Sequence, residues 1–192
     1  MKFTDRVLQF WRIAKVRPHI APGSRILDIG SADGVLFQRL GAAVGFGMGI
    51  DPTLKANTEL AGSPLIAGFF PRDMPAVEPF DVITMLAVLE HFPPAEYPEL
   101  RRGCARFLRP GGKLVITVPS PLVDQILAAL KFLRLIDGMS LEEHHGYEVS
   151  QTTGIFSGED FRLSRHTRFQ LGLNNLFVFE RTQFGIAAGR AN

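Results

Sequence analysis

The residues with the clearest chemical potential are two acidic side chains and the small residues between them. Residues 26–34 read Ile-Leu-Asp-Ile-Gly-Ser-Ala-Asp-Gly, an apolar strand that runs into a turn of small residues. Gly30, Ala32 and Gly34 let the backbone amides of such a turn approach a polar ligand closely. Asp51 ends the next apolar run, where a carboxylate can accept hydrogen bonds from ribose hydroxyls. Together the two segments predict a site for a nucleotide-like cofactor.

The position of Asp28 separates one class of cofactor from another. A dinucleotide-binding turn has the spacing Gly-x-Gly-x-x-Gly, whereas this turn reads Asp28-x-Gly30-x-Ala32-x-Gly34. The Asp28 carboxylate would repel a pyrophosphate but attract a cationic amino-acid moiety. This argues against an NAD-linked dehydrogenase. The turn resembles the first motif of the class I S-adenosylmethionine-dependent methyltransferases, (Asp/Glu)-x-Gly-x-Gly-x-Gly, with Ala32 at the place of the second glycine.

This resemblance implies S-adenosyl-L-methionine as the cofactor and assigns a role to each matching residue. The turn residues would lie under the methionine part of the cofactor: Gly30, Ser31, Ala32 and Gly34. Asp28 would orient the ammonium group, directly or through water, and Asp51 would accept the ribose hydroxyls. Three further cofactor contacts are expected at Pro52, Phe70 and Leu86, with Leu86 lining the methyl-transfer site.

Two more segments strengthen the resemblance. Residues 79–93 contain Phe80-Asp81-Val82, an apolar run, and then Leu89-Glu90-His91 and a proline, like the fourth-strand motif of quinone- and small-molecule-directed methyltransferases. Residues 109–113, Arg-Pro-Gly-Gly-Lys, match the turn before the fifth strand of that family. This second segment is typical of a tight helix-to-strand turn and indicates the fold without marking the chemistry.

The third motif departs from the family pattern. Relatives have Gly-Asp-Ala after the third parallel strand, with the aspartate on the adenine amino group, but this chain has Gly68-Phe69-Phe70. Two alternatives remain open for adenine recognition. Either Phe69 or Phe70 stacks on the base, or Asp73 reaches the base from one turn later.

The candidates for proton transfer are histidines. If the acceptor is a hydroxyl or a protonated amine, His91, His144 or His145 could take its proton as a general base. His144 and His145 fall in the long connection where this family builds its acceptor pocket. A metal site like that of small-RNA 2′-hydroxyl methyltransferases would need a glutamate where Ala87 stands, so we expect no metal.

The alternation of strands and helices predicts the fold class. Apolar runs at 25–29, 45–50, 64–67, 80–86 and 112–118 read as parallel strands, and residues 161–181 as an antiparallel hairpin with a turn near residues 172–175. We therefore expect an α/β, three-layer Rossmann-like methyltransferase fold with a seven-stranded, mostly parallel sheet closed by that hairpin. We assign residues 1–24 to a helix packing on the domain, 25–184 to the methyltransferase domain and 185–192 to a frayed tail.

Composition bounds the partners. The formal net charge of +2, with both signs scattered, does not favour a nucleic-acid surface. The single cysteine excludes an intrachain disulfide and fits the cytoplasm, and no run approaches the roughly 18 apolar residues of a membrane span. Residues 3–17 form an amphipathic pattern in which basic residues flank Phe10 and Trp11, so peripheral membrane contact is an alternative to simple packing.

The sequence thus predicts methyl transfer to an oxygen, nitrogen or carbon atom of a small-molecule acceptor. The alternative is a non-catalytic protein that binds S-adenosylmethionine, or a degenerate methyltransferase fold that regulates or scaffolds a partner. The altered third motif and the exposed-looking N-terminal helix favour this alternative. The identity of the acceptor and the oligomeric state are not encoded in any pattern of the sequence.

Overall fold

A computed structural model describes residues 3–120 and 147–182 of the chain, with side chains described from Leu8 onward. Within this part, eight strands form one sheet and helices pack on both of its faces. The strands are β1 (Ser24–Ile29), β2 (Val44–Asp51), β3 (Thr58–Leu60), β4 (Ser63–Ala67), β5 (Phe80–Leu86), β6 (Leu108–Pro119), β7 (Phe161–Phe169) and β8 (Asn174–Arg181). The helices are α1 (Phe3–Val16), α2 (Val35–Leu40), α3 (Tyr97–Phe107) and α4 (Gln151–Phe156).

The strand order is β3-β4-β2-β1-β5-β6-β8-β7. The five strands from β4 to β6 in this order are parallel, while β3 at one end and the β7–β8 hairpin at the other are antiparallel. The carboxyl ends of the parallel strands therefore meet at one edge of the sheet, called here the carboxyl edge. The predicted parallel sheet closed by an antiparallel hairpin is confirmed.

The expected count of seven strands is wrong, because the sheet has an eighth strand, β3. This strand is three residues long, and it pairs with β4 across a two-residue turn at Ala61 and Gly62, which have φ values of 51° and 74°. Two positive φ values in succession define the turn that suits the twist of a hairpin. Because β3 lies at the sheet end with exposed or half-buried side chains, it has no apolar run that the sequence could reveal.

Alternating side chains divide the buried core between two faces. On the α1 face, Ile13 and Val16 of α1 and Phe37 of α2 pack with strand residues such as Val115. On the α3 face, the core includes Leu100, Cys104 and Phe107 of α3, Phe156 of α4 and strand residues such as Ile29 and Phe177. Since side chains alternate along each strand, Asp28 shares the α1 face with Ile26, two residues before it.

The helix predicted over residues 3–17 is confirmed as α1, followed by a 3₁₀ turn at Arg17–His19. Arg12 of α1 reaches the turn between β7 and β8, which lies at the carboxyl edge because Asn174 pairs with Pro119 at the end of β6.

His144, His145 and the predicted tail 185–192 lie outside the described residues. In the described part, none of the helices has the length and apolar character that crossing a bilayer requires.

Candidate cofactor and acceptor site

A cleft opens at the carboxyl edge, where four neighbouring parallel strands end. It has a volume of about 280 Å³. Its lining comes from the ends of β1 (Ile29, Gly30), β2 (Ile50, Pro52), β4 (Gly68, Phe69, Phe70) and from the segment after β5 (Val88, His91, Phe92, Pro93, Glu96). Ligands of open parallel sheets bind at the carboxyl ends of the strands, at the point where the strand order reverses.

Asp51 joins the turn after β1 to the end of β2. Its side chain is buried, with 6% of its surface exposed. One carboxylate oxygen, Oδ2, accepts the N–H of Ala32 at 2.8 Å, and Oδ1 accepts the N–H and the hydroxyl of Thr53 at 2.7 and 2.5 Å. A carboxylate has about four acceptor positions, so Asp51 retains capacity for the hydroxyls of a ligand.

Asp28 is a second buried carboxylate, on the neighbouring strand. Its Oδ1 accepts the hydroxyl of Thr84 at 2.6 Å. Burial raises the pKa of Asp28 from 3.8 to about 7, the Thr84 hydrogen bond opposes this shift, and the nearby charges of Asp51 and Asp33 add to it. A cation placed beside Asp28 would favour its ionised form, because opposite charge stabilises a carboxylate.

Gly30 allows the segment after β5 to close against the turn after β1. Its φ is +76°, and a Cβ built there would lie 2.3 Å from Cγ2 of Val88. Any side chain at position 30 would therefore be both conformationally strained and blocked by Val88. The need for glycine at this position comes from a protein contact as well as from the path of the turn.

The other small residues of the turn have separate structural tasks. Ala32 has a φ of 43°, which directs its N–H to Asp51. Gly34 has a φ of +71°, and a Cβ there would lie 2.9 Å from the side chain of Leu65. Ser31 is buried beneath the turn, where its hydroxyl would contact a Cβ at Gly49 at 2.5 Å. The turn is thus packed tightly between β2 and β4.

The structure gives the residues of the third motif different places. Phe69 and Phe70 both line the cleft. Phe70 is buried against the ring of Phe107, with a centroid separation of 5.8 Å, whereas Phe69 is 56% exposed. Asp73 instead turns back on its own loop, where its Oδ2 accepts the N–H of Phe69 at 2.8 Å. The loop presents aromatic surface to the cleft and uses its carboxylate to hold its own shape.

The remaining candidates fall at different places. Pro52 and His91 lie in the cleft lining, and His91 is an exposed residue of a 3₁₀ turn at Leu89–His91. Leu86 is half-buried and packs with the core of the α1 face, so it lies on the other side of the sheet from Ile29 and Ile50. Across residues 3–120 and 147–182, no three metal-binding side chains come together in a way that could hold an ion.

The structure adds two residues that sequence reasoning missed. Thr84 stands opposite Asp28 in the β1–β5 register, and Val88 fills the space above Gly30. Thr84 has no sequence signal, because only the register of two strands 56 residues apart brings its hydroxyl to Asp28. For Val88 a sequence signal exists, since this residue belongs to the segment 79–93 that resembles the fourth-strand motif.

These features fit an S-adenosylmethionine-like molecule by their chemistry. A buried carboxylate at Asp28 suits an ammonium group, and the Asp51 carboxylate suits paired hydroxyls. The apolar cleft with Phe69 and Phe70 suits an aromatic base, which gains both burial and ring contacts there. The three features follow one another along the carboxyl edge, in the strand order β5-β1-β2-β4.

Comparison with known proteins shows the family of the chain. A family model described as a methyltransferase domain matches residues 3–161. The chain is 30% identical over 169 residues to the ubiquinone biosynthesis O-methyltransferase of Rhizobium etli, a match covering 72% of this chain and 66% of that protein. It is also 30% identical to the enzyme of the same name from Pseudomonas putida, covering 59% and 54% of the two chains. The matches therefore span about half to two thirds of these relatives' length.

Solved structures share the fold at lower identity. The N-methyltransferase NodS from Bradyrhizobium japonicum superposes with a TM-score of 0.65 at 16% identity, covering 93% of this chain and 99% of that one. Magnesium protoporphyrin IX methyltransferase from Synechocystis, solved with bound SAH, gives a TM-score of 0.65 at 15% identity and covers 95% and 88% of the two chains. These neighbours confirm the predicted Rossmann-like methyltransferase fold.

The close packing of Gly30 leads to a stability prediction with a matched control. Gly30→Ala should destabilise the protein by about 1–3 kcal/mol more than Gly111→Ala, because overpacking adds to the cost of a positive φ. Gly111 has nearly the same φ, +75°, and open space where a Cβ would stand. Urea unfolding of both variants measures the difference. Equal losses of stability would show that Val88 moves aside without cost.

Proposed function

We propose that this chain, which belongs to the class I S-adenosylmethionine-dependent methyltransferases, transfers a methyl group to a small-molecule acceptor. The accepting atom is an oxygen, nitrogen or carbon. The observation that carries this proposal is the pair of buried carboxylates, Asp28 and Asp51, at the ends of adjacent strands beside an apolar cleft. The O-methyltransferase names of the relatives favour an oxygen as the accepting atom.

The chain's own contribution is to position two molecules and to exclude water. When bound, S-adenosylmethionine supplies a methyl group on a sulfonium, which is already a good leaving group. We assign the ammonium to Asp28, the ribose to Asp51 and the base to Phe69, Phe70 and Pro52. The turn of Gly30, Ser31, Ala32 and Gly34 holds these contacts at fixed spacing. Such positioning can supply about 7–11 kcal/mol of a reaction barrier without a chemically reactive side chain.

Proton removal from the acceptor is assigned to a histidine in this proposal. His91 stands on the cleft lining near the aromatic residues, while His144 and His145 belong to the connection outside the described residues. A histidine acts as a base at neutral pH because its ordinary pKa is about 6.5. Leu86, at the end of β5 and on the same face of the sheet as Asp28, is assigned to the lining of the methyl-transfer site.

We also propose residues 25–184 as the catalytic domain, with residues 1–24 as a helix packed on it. Ile13, Val16 and Ile20 support this arrangement, because all three are buried in the core of the α1 face. A cytoplasmic location is supported by Cys104, which is a buried free thiol.

The function is tested by calorimetric titration with S-adenosylmethionine and S-adenosylhomocysteine, followed by a screen of phenolic, quinol and amine acceptors. We expect micromolar binding of both molecules and methyl transfer to at least one acceptor class. Binding without turnover of any acceptor would favour the non-catalytic alternative. If neither molecule binds a folded protein, the site assignment is wrong, and Phe69 and Phe70 would be the first residues to re-examine.

Removing the Asp51 carboxylate should weaken cofactor binding. We expect Asp51→Ala to reduce the affinity by about 1.5–3 kcal/mol, the scale of hydrogen bonds lost from a charged group. Calorimetry measures the affinity, and a thermal melt checks that the turn at Ala32 and Thr53 still folds. Glu59→Gln, on the exposed strand β3, removes one negative charge elsewhere and serves as the control. Unchanged affinity in a folded Asp51→Ala protein would remove Asp51 from the ribose site.

The raised pKa of Asp28 makes binding dependent on pH. Its folded-state pKa of about 7 lies above the ordinary 3.8, so in the free protein its contribution to stability is complete below pH 3.8 and is lost as the pH rises through 7. A bound ammonium reverses this preference by favouring the carboxylate. Cofactor affinity should therefore fall by up to about tenfold per pH unit below the pKa, with uptake of up to one proton on release.

Asp28→Asn provides the test of this linkage, because it preserves the side-chain volume and the acceptor for Thr84. Calorimetry at two pH values, in buffers of different ionisation enthalpy, measures the protons released on binding. We expect the native chain to release a proton near pH 6 and the variant to release none. Equal proton release by both proteins would show that Asp28 does not contact the ammonium.

A further inference from the structure

Large apolar side chains are exposed on α1, at the cleft and on the turn between β7 and β8. Four large hydrophobic side chains are exposed in the described part: Phe10 (50%), Trp11 (49%), Phe69 (56%) and Leu171 (102%). Phe69 belongs to the cofactor cleft. The other three lie on α1 and on the turn between β7 and β8. The proposed methyl transfer gives these three residues no role.

A polar contact joins α1 to that turn. The Nε–H of Arg12 donates to Oδ1 of Asn174 at 3.4 Å, and Nδ2 of Asn174 donates to Oε1 of Gln170 at 2.5 Å. Asn174 is 2% exposed, so this contact is fixed within the fold. Trp11 precedes Arg12 and Leu171 follows Gln170, so these two exposed residues are next in sequence to residues of this contact. We call these two side chains the apolar tip; Phe10 lies instead against α2, with the Arg39 guanidinium 5.4 Å from its ring centroid.

Leu171 has a left-handed backbone conformation, which is energetically unfavourable for leucine, although its side chain is fully exposed. Its φ is 56°, and those of its neighbours Gln170 and Gly172 are 51° and 87°. The left-handed region costs a non-glycine residue about 1–2 kcal/mol, and asparagine or glycine would occupy it more cheaply. Since Leu171 is fully exposed, burial within the described fold does not offset this cost. Contact with an apolar environment outside the chain would offset it.

Basic side chains predominate near Trp11 and near the turn between β7 and β8. The segment 8–19 contains Arg12, Lys15 and Arg17 and no acidic residue. On β7, Arg165 and Arg168 are exposed before the turn, whereas Arg162 lies at the far end of the strand and pairs with Glu180. Over the whole chain the two signs nearly balance, with 21 basic and 19 acidic residues. Lys15 is exposed and follows Trp11 by one helical turn, so the cation and the indole share one face of α1. Exposed aromatic and aliphatic groups flanked by cations match an anionic bilayer surface.

We propose that the outer face of α1 and the β7–β8 turn dock on an anionic phospholipid bilayer, with Trp11 and Leu171 entering the interface. The turn lies at the carboxyl edge, as does the cofactor cleft. Docking through this surface would turn the ligand-binding edge of the sheet toward the bilayer. An acceptor dissolved in lipid would then reach the site without crossing bulk water. Docking itself depends on neither cofactor binding nor methyl transfer.

The test uses the full chain, without cofactor, and vesicles of phosphatidylcholine with or without one third phosphatidylglycerol. Trp11 is the single tryptophan of the chain, so its fluorescence reports this surface alone. We expect a blue shift of its emission and co-sedimentation with the anionic vesicles. Both should weaken as salt rises, because surface charges are screened beyond about 10 Å at 0.1 M ionic strength.

Three variants define the surface. Leu171→Asn suits the left-handed backbone and should fold, yet it should lower partitioning about tenfold, the scale of one leucine's burial. Lys15→Gln and Arg168→Gln should each lower it about fivefold on anionic vesicles only. Arg102→Gln, an exposed cation on α3 at the other face of the sheet, is the control and should leave partitioning unchanged.

Several outcomes would overturn the proposal. One is the absence of both emission shift and co-sedimentation with anionic vesicles. A second is binding that Leu171→Asn, Lys15→Gln and Arg168→Gln leave unchanged. A third is a dimer in sedimentation velocity that Leu171→Asn dissociates, which would assign the apolar tip to a second copy of the chain. Because no cofactor or acceptor is present, failure of docking is distinguishable from failure of the proposed methyl transfer.

Discussion

The organisation of the site depends on the hydrogen bonds of the Asp51 carboxylate. One oxygen holds the N–H of Ala32 in the turn after β1, and the other holds Thr53 after β2. The two strand ends are thereby fixed relative to each other before any ligand arrives. Preorganisation of this kind lowers the ordering cost of binding, which otherwise subtracts from affinity. The close contact between Gly30 and Val88 extends the same rigidity to the segment after β5.

The two buried carboxylates of the site have different surroundings. Asp51 accepts three hydrogen bonds from the chain, whereas Asp28 accepts one, from Thr84. With little compensation for burial, the pKa of Asp28 rises to about 7. Asp51 is held in place by the chain and keeps an acceptor position, whereas Asp28 lacks a cation beside it. Such a site suits a ligand that has hydroxyls at one end and an ammonium at the other. The surroundings of the two carboxylates therefore give a physical reason for the cofactor that the family membership implies.

The apolar tip and the cleft show how one edge of the sheet serves two purposes. Parallel strands direct their carboxyl ends to the same edge, and the antiparallel hairpin returns its turn to that edge as well. Ligand contacts and a surface for lipid are consequently neighbours by topology. The positive φ values at Ala32, Ala87 and Leu171 also fall at this edge. Such conformations persist where the surrounding structure enforces them, and they concentrate at functional sites.

The sequence by itself determined the parallel sheet, the hairpin, the helix α1 and the chemical type of the turn, because these depend on local periodicity and on residues close in the chain. It did not reveal β3, whose three exposed or half-buried residues lack an apolar run. It left Asp73 and the two phenylalanines as equal alternatives, and only the folded loop showed that Asp73 binds Phe69 N–H. Tertiary structure also decided the partnership of Asp28 with Thr84 and of Gly30 with Val88. These contacts join residues more than fifty positions apart, and strand register, which no local pattern encodes, brings them together.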